Sequence, residues 1–258
     1  MSPAKRGEAR GFSRKPGKYS GLARALSKLG FCSRSQARIL IEEGQVQVDG
    51  VVRRDPEFPV LPHTHRISVD QKPVEAAGKV YLMLNKPRGL VTTTADERGR
   101  DTVYSCFKDL PFVAPVGRLD KASEGLLLFT NDTEWADRVT DPQTHLEKTY
   151  HVQINCLADE TLIQRLSEGI EIEGEFLTAL RAKVLRQGEK NSWLEMVLDE
   201  GRNRHIRRLI EASGHTVLRL VRVSIGNLEL GSLPKGNYRF LSREEVQRLG
   251  AQKGKVEL

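Results

Sequence analysis

The stretch Gly117-Arg118-Leu119-Asp120, followed two residues later by Ser123-Glu124-Gly125 and the apolar run Leu126-Leu127-Leu128-Phe129, decides the fold of most of this chain. The apolar run predicts a buried strand, and the polar residues before it predict a turn at its start. A carboxylate at the edge of a hydrophobic core is a candidate nucleophile or acid–base group, because burial and nearby cations set its reactivity. An Arg–Asp pair that only closes a turn is the alternative, so the rest of the chain must decide.

The charge of the chain favours a polyanionic partner, most often nucleic acid. Its 258 residues include 41 Lys and Arg against 34 Asp and Glu, which gives a formal net charge of +7. No apolar run approaches the roughly 18 residues of a membrane helix, and no apolar segment marks a secretory signal. We therefore expect no membrane partner. Cys32, Cys106 and Cys156 are odd in number and far apart, which indicates free thiols in a reducing cytoplasm.

Residues 1–20 are predicted to be a disordered basic arm. They contain six Lys and Arg, one acidic residue and few apolar residues that could pack. Such an arm can contact phosphates, although a solvated tail without a specific role is an equal alternative.

Residues 21–70 are predicted to form a small domain of two helices and a hairpin. Leu22, Leu26 and Leu29 have the spacing of one buried helix face. Residues 33–36, Ser-Arg-Ser-Gln, have the form of a capping box at the start of a second helix. Asp49-Gly50, between two valine-rich segments, is a strong hairpin signal. Residues 71–79 are predicted to be a linker.

The two predicted helices carry a group of cations without compensating acids. No Asp or Glu lies between residues 24 and 38, and the cations form two i, i+4 pairs on exposed helix faces. A solvated face is the simpler interpretation, but in a basic chain this pattern favours phosphate binding. The residues are Arg24, Lys28, Arg34 and Arg38.

Three further segments carry candidate functional residues. The apolar run of residues 80–84 leads into Asn85-Lys86-Pro87-Arg88-Gly89, where proline and glycine predict a loop that presents Lys86 and Arg88. Residues 148–154 alternate, so Tyr150 shares one strand face with Val152 and Ile154. Residues 200–209 contain four arginines and a histidine. A helix that begins near Asn203 suits an RNA phosphate, with a solvated basic face as the alternative.

Four ordered motifs resemble those of the bacterial ribosomal RNA pseudouridine synthases that carry an S4-like domain. They are residues 84–89 with 99–103, residues 117–132, residues 148–150 and residues 200–208. Residues 22–52 resemble the S4-like RNA-binding domain itself. The resemblance implies an α+β fold: the S4-like domain at 21–70, and at 80–250 a catalytic domain with a mixed, mostly antiparallel sheet and flanking helices.

The resemblance also implies the reaction, which isomerises uridine in RNA to pseudouridine without a metal or other cofactor. The sequence of residues 200–209 resembles that of the large-subunit members more than that of the small-subunit member, so a uridine of large-subunit ribosomal RNA is the expected target. The same reaction on small-subunit ribosomal RNA remains an alternative, as do a non-catalytic ribosome-assembly factor and a DNA-binding regulator. The expected partner is ribosomal RNA or an assembly intermediate, bound by a monomer in the cytoplasm.

By the same resemblance, Asp120 is the nucleophile, Arg207 pairs with it and keeps it ionised, and Tyr150 lies against the uracil. The target base must leave its stack to reach Asp120, and Arg118 would hold the flipped nucleotide. The expected RNA contacts are Arg24, Lys28, Ser33, Arg34, Arg38, Lys86, Arg88, Arg118, Arg202, Asn203, Arg204, His205 and Arg208.

Overall fold

The computed structural model describes residues 19–61, 64–94 and 99–251, and the chain divides into two compact units. The smaller unit comprises the described residues of Met1–Leu29 and Arg34–Glu75, and the larger unit those of Gly30–Ser33 and Ala76–Leu258. The predicted basic arm lies outside the described residues except for its last two positions.

In the smaller unit, short strands accompany two short helices. The elements are β1 (Ser20–Gly21), α1 (Leu22–Lys28), α2 (Arg34–Glu42), β2 (Val46–Val48), β3 (Val51–Val52), β4 (Pro59–Val60), β5 (Ile67–Val69) and β6 (Lys72–Pro73). The order β3-β2-β5-β6 forms an antiparallel sheet, and β1 pairs with β4.

Local signals predicted this unit well. The expected helix face is buried, with Leu22 and Leu26 at 0% exposure and Leu29 at 7%. The hairpin is confirmed, because Val48 pairs with Val51 and both turn residues, Asp49 and Gly50, have positive φ angles of 52° and 81°. Such a two-residue turn needs positive φ at both positions, which Asp-Gly adopts readily.

The larger unit contains the remaining elements. They are β7 (Tyr81–Lys86), β8 (Ala114–Val116), β9 (Glu124–Thr130), α3 (Thr133–Thr140), β10 (Lys148–Ile154), α4 (Glu160–Glu168), β11 (Ile170–Ile172), β12 (Glu175–Leu177), β13 (Arg181–Gln187), β14 (Ser192–Leu198), α5 (His205–Ala212), β15 (Val217–Ile225), β16 (Leu228–Glu229), β17 (Tyr238–Phe240) and α6 (Arg243–Gly250), with 3₁₀ turns at Val103–Cys106 and Pro142–Thr144.

A nine-stranded sheet organises the larger unit. Its order is β13-β14-β10-β15-β9-β7-β17, with β8 paired to β9 and β16 paired to β15. Only the contact between β9 and β15 is parallel, so the predicted mixed, mostly antiparallel sheet of an α+β fold is confirmed. No helix in the described ranges is long and apolar enough to span a membrane.

Strand β9 is an interior strand of this sheet, between β15 and β7, and it is buried as its apolar run predicted. Leu126, Leu127, Leu128 and Phe129 are all at 0% exposure. Leu126 and Leu128 belong to one core cluster, whereas Leu127 and Phe129 belong to another. Because successive side chains of a strand point to opposite faces, β9 is buried on both sides.

Gly125 allows β9 and β15 to meet. It has a φ of 102°, and a Cβ atom at this position would lie 2.2 Å from the carbonyl oxygen of Arg222. Gly125 and Arg222 are partners in the parallel pairing. No other residue type fits at this position without a shift of the backbone. Glycine at position 125 therefore allows the close approach of β9 to β15 directly after the residues that precede β9.

Two predicted boundaries were wrong. Helix α5 begins at His205 rather than near Asn203, because Arg204 adopts a left-handed conformation with a φ of 49° and precedes the helix as its N-cap. Strand β7 extends through Lys86, which pairs with Gly125, so the strand ends just before Pro87 and the loop starts later than predicted. Proline lacks the N–H that would continue the ladder.

Candidate active site

A cleft of about 440 Å³ opens in the larger unit beside the strand junction. The residues before β9, strands β10 and β15, and the segment before α5 line it. Asp120 and Tyr150, to which the family resemblance assigns roles in one reaction, both line this cleft. Its volume is within the range of pockets that hold small organic groups.

The Asp120 turn, which we define as residues 117–123, connects β8 to β9. Ser123 N donates to the carbonyl oxygen of Asp120 at 2.9 Å, which closes a four-residue turn. Asp120 itself is exposed, although its neighbour Leu119 is only 7% exposed. The Asp120 carboxylate forms no hydrogen bond or ion pair within 4.0 Å with any residue that the structure describes. The carboxylate is therefore open to a ligand in the cleft.

The backbone of the Asp120 turn is held at five consecutive carbonyl groups, from Leu119 to Ser123. Thr92 Oγ1 donates to Leu119 O at 2.8 Å, and Gly89 N donates to Lys121 O at 2.8 Å. Lys86 Nζ donates to the carbonyl oxygens of Asp120 at 3.2 Å and Ser123 at 2.8 Å, and Arg207 Nη2 donates to that of Ala122 at 3.2 Å. A reactive group works best on a backbone whose geometry is fixed before the substrate binds.

Lys86 was predicted to be a loop cation that contacts RNA, but it is the last residue of β7 and is buried, so the predicted loop position was wrong. Its side chain is at 0% exposure, and besides the two carbonyls of the turn its Nζ bonds the carbonyl oxygen of Pro87 at 3.1 Å. Burial lowers the pKa of Lys86 to about 8, although the negative charges of Asp120 and Glu124 oppose this shift. Lys86 therefore supports the Asp120 turn from inside the protein.

Arg207 is also buried, at 8% exposure, and it uses its guanidinium on backbone carbonyls. Besides Ala122 O, it bonds Val217 O at 3.4 Å. Burial lowers the pKa of Arg207, the positive charge of Arg204 adds to this shift, and the charge of Asp120 opposes it. The expected Arg207–Asp120 ion pair is not formed in this structure, although the two charges lie close enough to interact.

Glu124, the first residue of β9, fixes the chain directly after the Asp120 turn. The sequence did not reveal this role. It is only 2% exposed and makes two hydrogen bonds of 3.2 Å with Arg219, together with an ion pair to Lys235. Burial alone would raise the pKa of Glu124, but the hydrogen bonds from these two cations outweigh it, so the pKa is lowered. The start of β9 is therefore fixed by charge as well as by packing.

Tyr150 lies on β10 with its side chain 8% exposed, and its cross-strand partner on β15 is Arg222. The predicted face is confirmed, since Tyr150, Val152 and Ile154 are all buried. The ring borders the cleft that Asp120 also lines, so an aromatic surface and a carboxylate face the same space.

The rim loop, residues 199–204, supplies the cations at the entrance of the cleft. Gly201, Arg202, Asn203 and Arg204 are all exposed. Arg202 pairs with Glu200 at 2.8 Å, and Arg204 approaches Glu211 at 3.5 Å. Arg88 and Arg118 are exposed as well, so each of these predicted contacts is accessible to a ligand.

Two other predicted RNA contacts in this region are not free surface groups. His205 is 3% exposed, and burial lowers its pKa. The Arg208 side chain is 20% exposed, forms an ion pair with Glu175, and donates to the carbonyl oxygen of Ile172 at 3.3 Å. Both residues therefore connect α5 to the protein interior or to the β11–β12 hairpin. The sequence showed their charge but not the direction of their side chains.

In the smaller unit, the predicted cations Arg24, Lys28, Arg34 and Arg38 are all exposed. None of them forms an ion pair with a carboxylate among the described residues. Ser33, which belongs to the larger unit, was predicted as a further RNA contact, but it is only 4% exposed.

Sequence reasoning missed two cations of the cleft, Lys148 and Arg222. Arg222 is 6% exposed and lies two positions after Leu220 on the same face of β15. A charged residue at a position where the strand alternation demands an apolar one was the available signal. Lys148 precedes Tyr150 by two positions on β10 and shares its face in the same way.

Comparisons with known proteins agree with this architecture. The family model for RNA pseudouridylate synthase matches residues 80–212, a little more than half of the chain, and the S4 domain model matches residues 21–65. The chain therefore belongs to the RNA pseudouridylate synthase family, whose members are isomerases.

Individual relatives are similar over nearly their whole length. An uncharacterized RNA pseudouridine synthase of Aquifex aeolicus is 39% identical over 226 residues, which cover 87% of this chain and 91% of that protein. The ribosomal large subunit pseudouridine synthase B of Bacillus subtilis is 36% identical over 233 residues, 89% of this chain and 95% of that protein. A crystal structure of a pseudouridylate synthase superposes with a TM-score of 0.62 at 29% identity and covers 89% of this chain and 99% of that one.

Proposed function

We propose that this chain isomerises a uridine of large-subunit ribosomal RNA to pseudouridine, with Asp120 as the nucleophile. One observation carries the proposal: Asp120, whose carboxylate forms no hydrogen bond or ion pair with any described residue, and Tyr150 line one cleft, and the backbone beneath the carboxylate is held at five consecutive carbonyls. The large-subunit target is supported by the name of the Bacillus subtilis relative.

The reaction exchanges one bond for another and needs no net change of atoms. Asp120 attacks C1′ of the ribose while the C1′–N1 bond breaks, and the electron pair of that bond leaves with the uracil. The uracil then turns, a C1′–C5 bond replaces the bond to Asp120, the C5 proton is lost and N1 gains a proton.

Tyr150 and Arg207 would assist from two sides. The Tyr150 ring offers a stacking surface for the uracil, and its hydroxyl offers a path for the C5 proton. Arg207 would hold Asp120 in its ionised form once the base fills the cleft and removes water from the carboxylate. The target base must be flipped out of its stack to enter the cleft, and Arg118 is exposed beside Asp120 to hold the displaced nucleotide.

RNA binding would involve both units. At the cleft, the exposed residues Arg88, Arg118, Arg202, Asn203 and Arg204 would contact phosphates. In the S4-like domain, which we place at 21–70, the exposed cations Arg24, Lys28, Arg34 and Arg38 would do the same. We further propose a catalytic domain at 80–250, a phosphate-binding role for the basic arm, and a monomeric enzyme in the cytoplasm that acts on ribosomal RNA or an assembly intermediate. The linker predicted at 71–79 must begin later, because Lys72–Pro73 forms β6 and the smaller unit extends to Glu75.

Release of tritium from C5-labelled uridine tests the proposal. Large-subunit and small-subunit ribosomal RNA, each as free transcript and as immature particle, are incubated with the protein. We expect release from a large-subunit substrate, followed by mapping of the new pseudouridine. Release only from small-subunit RNA would show that the target uridine lies in that RNA. Absence of release from every substrate would indicate a non-catalytic RNA-binding protein.

A further inference from the structure

We propose that Lys148 and Arg222 bind the carbonyl oxygens of the target uracil and stabilise the negative charge that the base acquires when it leaves C1′. This inference rests on the proposed function, because it assigns a role in that reaction to Lys148, which the tyrosine motif contains but which was given no role, and to Arg222, which lies outside the four motifs. Lys148 and Arg222 would act on the leaving base, whereas Asp120 would act on the ribose.

The strand register places both cations beside the candidate catalytic residues. Arg222 pairs with Tyr150 on one side and with Gly125, five residues after Asp120, on the other. Lys148 lies two positions before Tyr150 on β10, so the two side chains point to the same face of the sheet. All of these residues except Gly125 line the cleft.

Arg222 has hydrogen-bonding capacity that the free protein does not use. Its Nε donates to Leu126 O at 2.8 Å, whereas Nη2 is buried without a partner in the described part of the chain. A buried polar group without a partner is costly, and in a native protein it calls for an explanation such as a catalytic role or a bound water or ion. An acceptor atom in the cleft would satisfy this guanidinium.

Lys148 is a second cation that forms no ion pair with a carboxylate in the described ranges. Its Nζ donates to the backbone carbonyl oxygen of Asp199 at 3.1 Å, while the Asp199 carboxylate is bonded to His145 at 2.8 Å. Lys148 and Arg222 line the same cleft from the paired strands β10 and β15. Burial lowers the pKa of Lys148 and the charge of Arg222 lowers it further, against the opposing charge of Asp199. Two neighbouring cations in a cleft favour a ligand that is rich in negative charge.

The departing uracil is such a ligand. When the C1′–N1 bond breaks, its electron pair is delocalised over N1 and the two carbonyl oxygens, so the base is an anion until its C5 bonds to C1′. Donors aimed at oxygens where charge develops typically accelerate a reaction by about 10²–10³-fold each. In this account Tyr150 holds the face of the ring, and Lys148 and Arg222 hold its edge.

The test compares the dependence of the rate on the leaving base. Fluorine at C5 stabilises the uracil anion, so 5-fluorouridine needs less help from a cation. Single-turnover loss of the target nucleoside is measured for RNA with uridine or 5-fluorouridine at the target, using wild type, Lys148→Met, Arg222→Lys and the surface control Lys183→Met. Because both substrates are compared with one preparation, the ratio of rates is independent of the fraction of folded enzyme.

We expect Lys148→Met to slow the uridine reaction about 100-fold and the 5-fluorouridine reaction clearly less, with a smaller change of the same kind in Arg222→Lys. Equal slowing of both substrates, weaker RNA binding alone, or unchanged rates would each overturn the inference. The proposed function fails separately, if wild type releases no tritium or if Asp120→Asn retains activity.

Discussion

The Asp120 turn and the rim loop border the same cleft but are built in opposite ways. In the turn, donors from four residues hold five successive carbonyls, and the two cations among them, Lys86 and Arg207, are buried. In the rim loop, residues 201–204 are exposed at every position. Cations near one site can therefore have different functions. Buried cations fix the backbone beneath a reactive group, and exposed cations remain available to a flexible polyanion.

Of the substitutions considered, Gly125→Ala should have the largest effect on stability, because Gly125 lies at the β9–β15 junction next to the Asp120 turn. The new Cβ would meet the Arg222 carbonyl oxygen at 2.2 Å in a strained conformation, so we expect the free energy of unfolding to fall by about 3 kcal/mol or more. Gly214→Ala is the control, since Gly214 has a similar φ of 85° but no atom within 4 Å of its added Cβ. Urea unfolding measures both. Equal losses would show that strand contact at Gly125 is unimportant.

The buried charge of Lys86 predicts a pH dependence of stability. The folded-state pKa of about 8 lies below the ordinary value of 10.5, so the unfolded chain binds more protons between these values. The free energy of unfolding contributed by this residue should therefore rise with pH, by roughly 3 kcal/mol between pH 8 and 10.5. Urea titrations of wild type minus Lys86→Met isolate the residue. A difference that stays flat over this range would contradict a buried charged lysine.

Lys86→Met should also lower activity without weakening RNA binding. The substitution removes the donor to three carbonyls, two of them in the Asp120 turn, and a displacement of a reactive group by about 1 Å can cost ~100-fold in rate. We expect kcat to fall while the Kd for RNA stays constant. Single-turnover tritium release and filter binding give the two quantities, and a change in Kd alone would assign Lys86 to RNA contact after all.

Substitutions in the rim loop should weaken RNA binding and leave the rate nearly unchanged, which is a smaller effect than that of Lys86→Met. Arg202→Gln combined with Arg204→Gln should weaken RNA binding and reduce its dependence on salt, by roughly 0.7 in the log–log slope for each lost phosphate contact. The single-turnover rate at saturating enzyme should hardly change. Arg181→Gln, which removes an exposed cation paired with Glu147 at 2.7 Å, serves as the control. An unaltered slope would exclude phosphate contacts at the rim.

Local patterns made much of the fold and part of the site predictable. The apolar run of β9, the Asp49-Gly50 turn and the leucine spacing of α1 each act within a few residues, so the sequence displays them directly. The shared cleft of Asp120 and Tyr150 followed from family motifs rather than from periodicity.

What the sequence did not disclose depends on distant partners. Lys86 appears polar at the end of an apolar run, and only its pairing with Gly125 and the carbonyls of the turn explains its burial. Arg222 looked like an ordinary strand residue because its neighbours, Tyr150 and Gly125, come from two other strands. Side-chain direction at a strand end or a helix start is set by such long-range contacts.

The most direct test of the account is the Asp120→Asn variant, measured for tritium release and for RNA binding on the same large-subunit substrate. Because the Asp120 side chain bonds no described residue, the substitution should leave the turn and the unfolding free energy nearly unchanged. The account predicts loss of tritium release below detection with a Kd within about twofold of wild type, a change well under the 1.4 kcal/mol of a tenfold difference. Release at the wild-type rate, or loss of binding together with folding, would contradict a nucleophile on a preformed turn.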